Sequence, residues 1–381
     1  MFYNRLLALS LLAYLPFNSF AAPTINTSIN ASGLNQGDIL VINGTGFGAK
    51  SEAKPLLWAD FNEQFQPSSK GRRTSWNSTT IPTIRELSTA MSAPNATQAL
   101  RFNHAASSDA VLGLHNIRNS SGQRTQNLYM FVRKLYAYDI VEDKRPPDSQ
   151  YPDGTFNLKT YRFWGDINGS GNIGHNTIYW GYQGAFGYDE AATVTENTEG
   201  GVKYSSELLH QKDTWLTQEL VYDAGTLGNK DGLFDIYQDG KKWLSETYNF
   251  ITHNANHPHK YEDFFFDQVS NGTDAGPNYV YYDEIYMDTS LQRVVICDAE
   301  LYANCSKRAI QIPTAWTDSS ISIELNLGEF SHFGKPLWLY VFDEQGNANI
   351  TGVPIVCDNC IDDSLCFTVK DSNNSAAVIC L

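Results

Sequence analysis

Hardly any stretch of this 381-residue chain sustains the 3.6-residue apolar period of a helix. Short alternating runs recur instead, broken by Gly, Asn and Asp. "NLYMFVRKLYAYDI", "NLKTYRFWGD", "NTIYWGYQG", "TWLTQELVYDAG", "DGLFDIYQDGKKW" and "YVYYDEIYMD" each read as a strand, with turn residues between them. Repeated short strands at this spacing predict an all-β protein, built as an antiparallel sandwich or jelly roll. The aromatic content of 13%, rich in Tyr and Trp, suits pleated and half-buried surfaces.

The N-terminus reads as a processing signal. Arg5 precedes an apolar run from Leu6 to Leu15, and Ser19-Phe20-Ala21 fits a small-x-small cleavage pattern, so cleavage is expected after Ala21. That run is short of the about 20 residues that span a bilayer, and no later segment approaches the length. The mature chain is expected to be exported and soluble, whether extracellular, periplasmic or at the cell surface, with its cysteines in an oxidising environment. The full chain's net charge of −15, one unit more negative once Arg5 is removed, repels nucleic acid and anionic membranes at long range.

Two further patterns carry family resemblances. "GDILVINGTGFGAK", near the start, is a short strand followed by tight glycine bends. Far downstream, "RAIQIPTAWTDSSISIELNLGEF" and "GKPLWLYVFDEQGNANITGVPIV" alternate cleanly, Ile321, Ile323 and Leu325 pointing one way and Leu337, Leu339 and Val341 repeating the arrangement. The "INGTGFG" turn and the downstream strands resemble the two halves of an IPT/TIG immunoglobulin-like domain. That resemblance implies one Ig-like sandwich built from both ends of the chain, residues 22–55 and 291–356, around a large insertion. The insertion, residues 56–290, resembles the concanavalin A-like lectin/glucanase superfamily in its Trp215 strand, its "DGLFDIYQDGKKW" hairpin and its closing "YYDEIYMD" strand. Within that superfamily it looks most like the jelly rolls of secreted polysaccharide lyases and related secreted bacterial proteins. A Cys-rich tail, residues 357–381, follows.

Glycoside hydrolysis requires two carboxyl groups facing across the scissile bond. In "YDEIYMD" only Glu284 and Asp288 share a face, the three-acid strand pattern of jelly-roll glucanases is absent, and these acids read as a solvated strand face. A lyase requires other parts: a cation to neutralise a uronate carboxylate, and a base and an acid to move protons. By strict alternation Arg162 and Trp164 share a face with Thr160, and Asn176, Trp180 and Tyr182 share a face of the next run. Arg133 lines up with Tyr129 and Phe131, and Asp235 with Tyr237. The Gln-x-His and Tyr-x-Lys-x-Gly-x-Tyr signatures of jelly-roll lyases are absent. Aromatic faces stack on pyranose rings while Arg, Asn and Asp meet hydroxyls. Arg133, Arg162, Trp164, Asn176, Trp180, Tyr182, Asp235 and Tyr237 are therefore the expected carbohydrate-binding residues. If the chain is a lyase, His175, Tyr182 and Arg162 are the catalytic candidates.

Asp166, Asn168 and Ser170 occupy positions 1, 3 and 5 of a calcium-loop pattern, but Thr177 stands where a bidentate Glu belongs. A hairpin tip is the simpler reading of this loop; no cofactor is required, with Ca²⁺ the candidate ion here and zinc the weaker alternative at the histidines and tail cysteines. His253, His257 and His259 read as an exposed loop. Cys297 and Cys305 are expected to clip the second Ig-like half. Cys357, Cys360, Cys366 and Cys380 permit three pairings, between which spacing does not choose. The leading expectation is a secreted polysaccharide-binding protein. The alternatives are a polysaccharide lyase cleaving a uronate-containing glycan by β-elimination, and a non-enzymatic surface or adhesion protein.

Overall fold

The computed structural model describes residues 21–26, 29–31, 35–77, 85–103, 112–138, 157–165, 177–183, 190–196, 202–205, 211–242, 251–255, 260–271, 279–330, 337–357, 366–370 and 376–380. Among the described residues the regular structure is β apart from one 3₁₀ turn at Tyr302–Asn304. No helix among the described residues is long and apolar enough to cross a membrane.

The larger sandwich has two antiparallel sheets. One runs in the order β12 (Val202–Ser205), β11 (Glu190–Glu196), β10 (Thr177–Gln183), β9 (Asn157–Trp164), β16 (Asp263–Asn271) and β7 (Leu112–Leu114). The other runs β15 (Lys241–Lys242), β14 (Leu233–Gln238), β13 (Trp215–Asp223), β8 (Asn127–Tyr136), β17 (Tyr279–Asp288), β6 (Ala99–Asn103) and β5 (Arg85–Ser88), with β4 (Leu57–Ala59) also paired to β17. Strand alternation explains the core between them. Leu128, Met130 and Val132 of β8 and Leu220 and Tyr222 of β13 meet Tyr161 and Phe163 of β9 and Phe264 and Phe266 of β16.

A smaller sandwich joins the two ends of the chain. Its first sheet is β1 (Thr24–Ile25), β3 (Ile39–Thr45), β21 (Ser320–Glu324) and β20 (Ile312–Trp316). Its second is β19 (Arg308–Ile310), β18 (Arg293–Cys297), β22 (Leu337–Phe342), β23 (Val353–Cys357) and β2 (Ile29–Ala31), the last pairing parallel to β23. Leu40 and Ile42 meet Ile321, Ile323, Leu325, Leu337, Leu339 and Val341 in its core. Each fully buried side chain of this kind contributes about 1.5–3 kcal/mol.

The two sandwiches also pack on each other. Tyr129, Phe131, Val221 and Tyr286, on the second face of the large sheet, form one cluster with Val295, Ile310, Tyr340 and Phe342. Both faces of β8 are therefore covered, which accounts for its unbroken burial after Asn127. The same covering corrects the reading of Glu284 and Asp288 as solvated: they are 5% and 1% exposed. Asp288 lies 2.6 Å from the buried Lys50 ammonium. A Cys297–Cys305 disulfide clips the loop after β18. In the tail, β24 (Cys366–Lys370) and β25 (Ala376–Cys380) form a hairpin whose register sets Cys366 opposite Cys380. Cys360 lies outside the described residues, as do the side chains of Cys357, Cys366 and Cys380.

Candidate functional site

In β9, Tyr161 and Phe163 point into the core, so Arg162 and Trp164 face the other way, onto the outer side of the six-stranded sheet. There the Arg162 guanidinium lies 4.4 Å over the Trp164 ring. Trp164 is 4.9 Å from Phe265, and Phe265 is 5.3 Å from the edge-on imidazole of His115. The ladder produces this row, because Phe265 is set opposite Arg162 on one side and Gly113 on the other.

His115 follows directly on β7, where the chain turns through Asn116 at φ 54°, a left-handed conformation that Asn tolerates. Arg73 holds this turn by donating to the carbonyls of His115 (3.1 Å) and Asn116 (2.7 Å). Asp263, 1% exposed, places Oδ1 3.1 Å from both His115 Nδ1 and the Asn116 amide nitrogen. With the carboxylate as acceptor, Nδ1 carries the proton and Nε2 is left as a base. The imidazole is 24% exposed and reachable from solvent. Asp263 Oδ2 and Trp164 Nε1 are buried without hydrogen-bond partners among the described residues. On this face Trp164 and the carboxylate-oriented imidazole are partly exposed, whereas Arg162 and Phe265, 5% and 4% exposed, are packed against them.

The residues expected from sequence divide between several places. Arg162 is on this face, 5% exposed, and Trp164 beside it is partly exposed. Trp180 and Tyr182 are on the adjacent β10, their side chains outside the described residues. The backbone register sets Tyr179 opposite Arg162, Trp180 opposite Tyr161 and, across a bulge, Tyr182 opposite Leu158. Alternation within one strand cannot decide which of two facings its neighbour adopts. His175, Asn176, Asp166, Asn168 and Ser170 lie outside the described residues.

Arg133, Asp235 and Tyr237 are not on this face. They belong to the other sheet and point toward the smaller sandwich, which corrects the expectation of one shared surface. Arg133 is 3% exposed, 3.6 Å from Asp283 and 3.9 Å from Glu284. Burial holds Asp283 well above the usual carboxylate range, and the neighbouring Glu284 adds to the shift. Asp235 and Tyr237 line a cleft against the smaller sandwich, where Asp235 accepts from Lys242 Nζ at 2.7 Å.

One polar group went unremarked in the sequence. Lys134 is fully buried in the large core, 2.9 Å from both oxygens of Asp267, which also accepts from the Tyr282 hydroxyl. The rings of Tyr136, Tyr161 and Tyr282 lie 4.6, 5.4 and 4.7 Å from the ammonium. Desolvation lowers the Lys134 pKa to about 8, with Asp267 pulling it back upward. This group ties the two sheets together and is closed to outside ligands.

No family model matches the sequence, and no curated protein matches it. Solved structures do show likeness. A glucuronan lyase from the fungus Trichoderma reesei is 13% identical with a TM-score of 0.40, covering 62% of this chain and 96% of its own. The alginate lyase Aly36B is 16% identical with a TM-score of 0.39, covering 62% and 98%. The receptor-binding domain of botulinum neurotoxin type G is 11% identical with a TM-score of 0.37, covering 86% and 92%.

Proposed function

We propose that the chain is an exported protein that binds extracellular or cell-wall polysaccharide on the outer face of its six-stranded sheet. The observation that supports this reading is the row Arg162, Trp164, Phe265 and His115, with Asp263 beneath it. Aromatic planes suit the apolar faces of pyranose rings, while the guanidinium, the indole N–H and the imidazole suit hydroxyls and carboxylates. The disulfide is compatible with an extracellular location. Affinity electrophoresis against a panel of neutral and uronate polysaccharides tests the reading. Trp164→Ala should weaken binding to the preferred glycan about tenfold, the scale of one lost stacking contact; unchanged migration removes the site.

A second reading is β-elimination, favoured by the His115–Asp263 pair on the same face as Arg162. Arg162 would neutralise the uronate carboxylate and His115 Nε2 would take the C5 proton. The electron pair left behind would form the C4–C5 double bond as the C4–oxygen bond breaks, and a protein acid or water would protonate the departing oxygen. Tyr182 and His175 remain candidates for that acid. Ultraviolet absorbance of the unsaturated product reports turnover, and His115→Ala should lower it by about 10²–10⁴. No product with any uronate polymer leaves the binding reading alone.

A further inference from the structure

On the other side of the molecule, where β13, β14 and β15 overhang the smaller sandwich, a cleft of about 710 Å³ opens. That volume lies within the range of small-molecule sites and far exceeds the need of a single bound ion. Four basic residues, Lys241, Lys242, Arg293 and Arg308, line it against two acidic ones, Glu219 and Asp235. The lining is therefore positive in a chain whose net charge is −15.

Most of these charges are matched within the protein. Arg308 Nη1 donates to Glu219 Oε1 at 2.8 Å, the Tyr129 hydroxyl donates to Glu219 Oε2 at 2.6 Å, and Lys242 serves Asp235. Both Glu219 oxygens are thereby used. Arg293 differs. It is 6% exposed, its guanidinium is 4.2 Å from the Tyr129 ring and 3.6 Å from Phe342, and Nη1 donates to the Leu291 carbonyl. Its polar side-chain neighbour is the neutral Tyr302 hydroxyl, its Nε lacks a well-aligned acceptor, and no carboxylate among the described residues forms an ion pair with it. A desolvated guanidinium without a counter-charge is costly, and stacking between rings offsets only part of that cost.

We infer that this cleft is a second binding site, for a carboxylate-bearing sugar unit, with Arg293 anchoring the carboxylate. Tyr237 offers a half-buried ring beside it, and Gln345 and Asn347 offer carboxamides at the exposed rim, the complement a pyranose with several hydroxyls calls for. Burial raises the Tyr237 and Tyr302 hydroxyls to about 12, so both remain proton donors at neutral pH. The site stands on its own residues and does not depend on the reading of the six-stranded face.

The test uses the full chain carrying Trp164→Ala, so that the other face contributes least. Calorimetric titration is run with an oligouronide, a neutral glucose oligomer and sodium acetate. Saturable oligouronide binding, about tenfold weaker or more with Arg293→Gln added, is the expected result. Lys241→Glu, on an exposed residue, should weaken it too. Equal oligouronide affinity with and without Arg293→Gln, in proteins of equal melting temperature, overturns the inference. So does equal affinity for the glucose oligomer, or for acetate, which would mark a bare anion site. If Arg293→Gln fails to fold, Lys241→Glu and Tyr237→Ala decide: unchanged affinity in both overturns the proposal.

Discussion

At the scale of single residues, the informative groups are buried charges that neighbours hold in place. His115 and Asp263 are 148 residues apart in sequence, and nothing in their spacing announces the pair. If the face is catalytic, Asp263→Asn should cut turnover by about 10² while leaving KM within a few-fold, because the amide no longer fixes which imidazole nitrogen carries the proton. Steady-state kinetics on the uronate polymer separates the two parameters, and a change confined to KM would contradict that role. Lys134 makes a prediction for stability. Its folded pKa, about 8, is below its ordinary value of 10.5, so between those values the unfolded chain binds more protons than the folded one, and stability rises with pH. Buried Tyr282 and Tyr286 are raised well above 10.0, so their contribution, present below pH 10, is lost as pH climbs beyond it. Urea midpoints should therefore increase from pH 8 toward 10 and fall above that. Lys134→Met should remove the rise and lower stability by about 3–5 kcal/mol by depriving buried Asp267 of its counter-charge; a midpoint that declines steadily from pH 7 would refute this assignment.

At the scale of elements, the β14–β15 hairpin sets the shape of the cleft. Its turn is Asp239-Gly240, with φ of 47° and 76°, the pair of left-handed positions that a two-residue hairpin demands. The Asp-Gly signal was visible in the sequence. What it packs against was not: a Cβ on Gly240 would lie 2.4 Å from the Cys305 carbonyl oxygen, and Arg308 donates to the Gly240 carbonyl at 3.0 Å. Gly240→Ala should cost more than the about 1–2 kcal/mol of left-handed strain alone, since backbone must also move. Thermal melting measures this, and a loss below 1 kcal/mol would mean that the hairpin yields freely. The Cys297–Cys305 link supports the same wall by closing the loop that bears Tyr302. Its removal as a double Ser variant should cost about 2.5 kcal/mol on loop-closure entropy for a separation of 8. The β9–β10 ladder teaches a related lesson. Alternation identified both strands and the shared facing of Arg162 and Trp164, yet the neighbour's register, with a bulge after Trp180, was beyond it.

At the scale of the whole molecule, the two sandwiches share a third apolar cluster and the buried Tyr129–Glu219–Arg308 bonds across their junction. Heating should give one cooperative transition, and the 56–290 segment produced alone should bind hydrophobic dyes, because Tyr129, Phe131 and Tyr286 would meet water. Two well-separated transitions would show that the junction is weak. The chain's own alternation and turn residues sufficed for the all-β class and for the positions of many strands, because period and turn chemistry are local properties read residue by residue. Tertiary structure alone decided that Arg133, Asp235 and Tyr237 face away from Arg162, that Glu284 and Asp288 are buried, and that His115 meets Asp263. Sheet membership, cross-strand register and sandwich-on-sandwich packing depend on contacts between separate segments, some of them more than a hundred residues apart, and local periodicity carries no record of them.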